Sequence, residues 1–123
     1  MRYHEIRKPL FEGDHDGGDC YEISAKTVLD NPEYTLVHGI VTGQGRLQGV
    51  RYGHAWVEHE GNVIDLSNGR NLEFPKEVYY AIGNIDPNDQ YQYNAKDLRK
   101  ILQYEKHWGP WEEDMSPEHE QGF

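Results

Sequence analysis

A chain of 123 residues with a net charge of -10 has the length of one domain and offers no basic stripe to meet phosphates. General nucleic-acid binding and attachment to anionic membranes are therefore disfavoured. The single cysteine, Cys20, excludes a disulfide within these residues and fits a reducing cytoplasm or a thiol kept for chemistry. No apolar run is long enough to cross a bilayer, and MRYHEIRKPLFEGD lacks the apolar core of a signal peptide, so a cytoplasmic location is expected.

The order of elements follows from periodicity and turn residues. Tyr3, Ile6 and Leu10 suggest a short edge strand limited by Pro9. Residues 13–19, GDHDGGD, read as an acidic loop, with Asp19 placed to cap a helix. Cys20 to Leu29 has Cys20, Ile23, Thr27 and Val28 near one face at helical spacing, and Asp30-Asn31-Pro32 ends that helix. Tyr34 to Thr42 is rich in β-branched and aromatic residues and predicts a strand. Gly43-Gln44-Gly45 turns it, and Arg46 to Tyr52 pairs back as a weaker strand.

Gly53 to Ser67, GHAWVEHEGNVIDLS, predicts a β-hairpin around a Glu60-Gly61-Asn62 turn. Asn68 to Asn71 is a turn, Phe74 to Ile82 a strand or short helix, and Ile85 to Asp89 a loop. Asn94 predicts the N-cap of a helix from Ala95 to about Lys106, with Asp97 in its first turn and Leu98, Ile101, Leu102 and Glu105 marking its inner face. His107 to Trp111, HWGPW, reads as an aromatic anchor for that helix. The expected fold class is α+β, a helix carrying the cysteine packed on an antiparallel sheet with a C-terminal helix. A single domain over residues 1–111 would be followed by an acidic, disordered tail over 112–123.

Three residues of this plan can share one chemistry. A cysteine attacks as its thiolate, and both a helix N-terminus and a neighbouring imidazolium favour the thiolate. Cys20 opens its helix. His54 starts the first strand of the hairpin, and Asp65 lies near the far end of the second, so antiparallel pairing can set them side by side. Asp65 would then fix the tautomer of His54 and stabilise its charged form. The backbone N–H of Cys20 can serve an oxyanion, and Gly17 and Gly18 permit close approach of a substrate.

The order cysteine, histidine, aspartate, with the cysteine on a helix start and the string His54-Ala55-Trp56-Val57-Glu58, resembles the transglutaminase-like branch of the papain-like cysteine hydrolase superfamily. The resemblance covers about Asp19 to Leu66. It implies Cys20 as nucleophile, His54 as general base and acid, and Asp65 as the orienting residue of a hydrolase or acyltransferase that needs no cofactor. Members include proteases, deamidases, peptide:N-glycanase-like amidases and protein-crosslinking enzymes, some of them small phage and bacterial proteins. A protein or peptide substrate is the implied partner. Two features depart from the family pattern: no tryptophan lies close to Cys20, and His54 and Asp65 are only 11 positions apart (65 − 54).

Other roles stand beside these. The alternative to an enzyme is a binding module on the same fold, such as a phage accessory protein meeting a basic partner. Cys20 alone would be read as a small buried apolar residue, His54 as a core histidine and Asp65 as a strand-end cap. Trp56 is expected in the core, with its indole N–H as a possible donor at the site. His38 is expected as a satisfied buried histidine. His4, Asp14, His15, Asp16 and Asp19 match no zinc spacing, and a solvated loop is the preferred reading of that segment.

Overall fold

In the computed structural model, residues 11, 19–44, 48–66 and 69–115 are described. The expected N-terminal edge strand and most of the acidic loop lie outside them. The described elements run α1 (Asp19–Asp30), β1 (Thr35–Thr42), β2 (Arg51–His59), β3 (Asn62–Asp65), β4 (Leu72–Pro75), α2 (Lys76–Gly83), β5 (Gln90–Tyr93), α3 (Ala95–Glu105) and a 3-10 turn at Glu113–Met115. The strands form one antiparallel sheet in the order β4-β3-β2-β1-β5. The fold is α+β, with helices packed on an antiparallel sheet, as the sequence leads one to expect.

Both faces of the sheet are covered. One holds Val37, Trp56, Val63, Phe74, Phe11 and the tyrosines of α2 in a single cluster. The other holds Leu36, Val57, Ala25, Val28 and Leu98, joined by Leu102, Trp108 and Trp111. Alternate strand residues therefore enter opposite cores. A central strand buried on two sides reads as a continuous apolar run rather than an alternation, and Tyr52 to Val57 is buried without a break.

Several boundaries differ from the expected ones. The two strands expected around Tyr52 and His54 are one strand, β2, paired with β1 from Thr42↔Arg51 to Thr35↔Glu58. Gly43 N–H donates to the Val50 carbonyl at 2.6 Å and closes that connection. The hairpin turn is tighter than expected. Glu60 and Gly61 take φ of 51° and 81°, both positive as the favoured two-residue hairpin turn requires, and His59 pairs with Asn62. Pro75 ends β4 and leads into α2, so the segment expected as strand or helix contains both.

β5 has no counterpart in the sequence reading. The buried face of α1 is Cys20, Tyr21, Ser24, Ala25 and Val28, with Ile23 and Thr27 half-buried. α3 has the expected cap, Asn94 Oδ1 accepting from Asp97 N–H at 2.8 Å. Leu98 and Leu102 pack inward, whereas Glu105 is exposed. The HWGPW segment does dock, with Trp108 and Trp111 against the same core as α3.

The tail boundary moves. Glu112 reaches His38, and Met115 is fully buried, so ordered structure continues to at least Met115, because a carboxylate and a thioether from this segment complete interactions of the sheet. Residues 116–123 lie outside the described residues. Among the described residues no helix is long and apolar enough to cross a membrane.

Candidate active site

Cys20 lies in the first turn of α1, where backbone N–H groups have no intrahelical acceptor. It is 6% exposed and packs with Tyr21 and Ala55. Ala55 follows His54 directly, so the thiol rests against the strand that carries the histidine. Pairing of β2 with β3 runs only from His59↔Asn62 to Val57↔Ile64, and the contact with Ala55 falls beyond that paired stretch.

His54 is 5% exposed and faces the core that contains α2. Its ring meets Phe11 edge-on at 5.6 Å, Tyr52 at 6.2 Å, and Trp56 in a stacked arrangement at 6.1 Å. On the neighbouring strand its register partner is Gly39. A β-carbon at Gly39 would stand 2.7 Å from Trp56 Cη2, so the missing side chain lets the indole lie flat beside the histidine.

Asp65, 2% exposed, ends β3 and pairs with Leu72 of β4. Extending the β2–β3 register one step sets Asp65 opposite Trp56. Asp65 is therefore diagonal to His54 rather than directly across from it, the same-face relation in which neighbours stand about 7–8 Å apart, within reach of an aromatic side chain. Its carboxylate Oδ2 accepts from the Tyr79 hydroxyl at 3.2 Å. Tyr79 contacts Phe11 at 5.0 Å and Trp56 at 5.6 Å, the two rings that also contact His54. Burial first, then the charge and hydrogen bond of Asp65, then Cys20 and Tyr52, push the Tyr79 hydroxyl well above its ordinary value. Tyr79 is thus in electrostatic reach of both the aspartate and the cysteine.

His54 and Asp65 accordingly share one sheet face with Phe11, Trp56 and Tyr79, whereas Cys20 packs on Ala55, whose side chain enters the opposite face, and its link to that group is its electrostatic reach of Tyr79. Trp56 is in the core as expected, and its indole N–H is taken by Glu58 Oε2 at 2.9 Å. Glu58 also accepts from the Tyr80 hydroxyl and pairs with Lys76 at 3.4 Å. The glutamate of His54-Ala55-Trp56-Val57-Glu58 therefore anchors the tryptophan and ties β2 to α2. Tyr79 escaped the sequence reading. Only its place early in a helix that follows a strand hinted at an inward-facing hydroxyl.

Among the described residues no group of three or more His, Cys, Asp or Glu side chains is placed to hold a metal ion. His4, Asp14, His15 and Asp16 lie outside them, as do Gly17 and Gly18. No protein-family model, curated protein or solved structure matches the chain.

Proposed function

We propose that the protein is a cysteine-nucleophile amide hydrolase or acyltransferase of transglutaminase-like type, acting on a protein or peptide through Cys20, His54 and Asp65. The observation that carries this reading is Asp65 on the same sheet face as His54, bonded to Tyr79, with Cys20, at a helix start, within electrostatic reach of that same tyrosine. The string His54 to Glu58 adds the family resemblance.

The chemistry uses only protein groups. The Cys20 thiolate attacks the acyl carbon, forming a C–S bond, and backbone N–H groups at the start of α1 receive the oxyanion. The C–N bond breaks as the His54 imidazolium gives its proton to the leaving amine. Water or a primary amine then attacks the thioester and passes its proton to His54. The C–S bond breaks, and thiolate and imidazolium are restored. Asp65 holds the imidazole and supports its charge.

The test is treatment with p-nitrophenyl acetate, followed by intact mass. Acetylation of Cys20 should exceed that of a free cysteine peptide and be followed by deacetylation, with both lost in His54→Ala. Acetylation no faster than the peptide would contradict the reading. One observation favours a second reading, a non-catalytic binding module. Cys20 is enclosed by Tyr21 and Ala55, as structural cysteines are. Under that reading Cys20→Ala would leave binding to a basic partner protein intact, and the thiol would react as an ordinary buried one.

A further inference from the structure

We infer that Tyr79 is a positioning residue of this site, holding the Asp65 carboxylate through its hydroxyl so that the carboxylate faces His54. The inference rests on the reading of Cys20, His54 and Asp65 given above. Asp65 ends its strand and is 2% exposed. A buried carboxylate also needs donors to remain ionised. Tyr79 supplies one at 3.2 Å from a fully buried position.

The phenol is itself fixed by Phe11, Trp56 and Phe74 around its ring. Two of these rings also fix His54, so one aromatic cage sets the imidazole and the group that aims its carboxylate. Burial and the surrounding charges keep the Tyr79 hydroxyl protonated at any working pH, so it donates throughout. It does not touch a reacting atom. It acts through Asp65.

Tyr80 provides a matched control. It is the next residue of the same helix, and its hydroxyl serves Glu58 and Gln90 instead. The experiment follows Cys20 thiolate formation against pH by ultraviolet absorbance in wild type, Tyr79→Phe, Tyr80→Phe, Asp65→Asn and His54→Ala. Because Cys20 is the only cysteine, the difference from the same titration of Cys20→Ala isolates its thiolate from the tyrosinates.

Loss of Tyr79's hydrogen bond should raise the Cys20 titration by about one pH unit, the scale of one hydrogen bond to a charged group, while Tyr80→Phe leaves it in place. Tyr79→Phe combined with Asp65→Asn should shift it no further than Asp65→Asn alone. An unmoved Tyr79→Phe beside a shifted His54→Ala overturns the role of Tyr79 only. An unmoved His54→Ala overturns the underlying site. Equal shifts in Tyr79→Phe and Tyr80→Phe, or additive shifts in the double variant, would mean that α2 has merely loosened, and would overturn the positioning role as well.

Discussion

Two buried histidines occupy neighbouring strands and face opposite cores. His38 of β1 pairs in register with Ala55, and His54 of β2 pairs with Gly39. His38 is fully buried, and its Nδ1 donates to the Glu112 carboxylate at 2.9 and 3.0 Å. Trp111 stacks on it at 4.9 Å, Tyr21 meets it edge-on at 4.8 Å, and Tyr93 closes a third side while donating its hydroxyl to Glu112. Gly109, at a φ of 114°, fits against the ring where a β-carbon would come within 3.1 Å of Cε1.

His54 also has a carboxylate on its own sheet face, and Cys20 packs on the next residue, Ala55, from the other face of the sheet. Each histidine thus has an acid on its own sheet face. The surroundings separate them: His38 is walled by aromatic rings and ties the C-terminal segment to the sheet, whereas His54 lies among Phe11, Tyr52 and Trp56 on the face that holds Asp65 and Tyr79. His38 is buried as expected and satisfied at Nδ1 but not at Nε2, which has no hydrogen-bond partner among the described residues, and a histidine–carboxylate contact alone does not mark a catalytic centre.

The largest effect expected on the His38 side is on stability. Glu112→Ala leaves the buried imidazole without its hydrogen-bond acceptor and should lower unfolding free energy by about 1–3 kcal/mol in denaturant titration, without moving the titration of Cys20. A shift in that titration would blur the division between the two histidines. On the His54 side, Gly39→Ala drives a methyl into Trp56 and should destabilise by about 1–3 kcal/mol. It should also change Cys20 reactivity, because the indole packs on His54. A change in stability alone would detach Trp56 from the site.

The smallest effect is a pH dependence. Burial alone would raise the Glu112 carboxyl, but the hydrogen bond and charge of His38, and the hydrogen bond of Tyr93, outweigh it and hold the group below its ordinary 4.5. The unfolded chain then binds the proton more readily. The contribution is fully present above the ordinary value and is lost as pH falls through the lower folded one. Melting temperatures of wild type should therefore fall in that acid range more steeply than those of Glu112→Gln. Parallel curves would show that Glu112 gains nothing from His38.

Local signals in the sequence carried much of this fold. β1, the hairpin turn, α1 and the Asn94 cap follow from periodicity and turn chemistry, which are properties of adjacent residues. Cys20, His54 and Asp65 stood out through residue type and order. The rest depends on partners distant along the chain. Glu112 looks like tail acid until His38, 74 positions away, gives it a place. Tyr79 looks like any core tyrosine until Asp65 is folded beneath it. β5, Gln90–Tyr93, alternates polar and aromatic residues too briefly to announce a strand, and it forms because β1 offers an edge. Glu105 follows the helical spacing of Leu98 and Leu102 yet faces water, since the helix ends there at Lys106.

The most direct measurement is the rate of Cys20 alkylation by iodoacetamide against pH in wild type, His54→Ala and His38→Ala. A thiolate–imidazolium pair with His54 predicts reaction well below the ~8.5 of a free cysteine, ordinary behaviour in His54→Ala, and a wild-type profile in His38→Ala. An ordinary or inert thiol in all three proteins, or a profile that tracks His38 instead, would contradict the account.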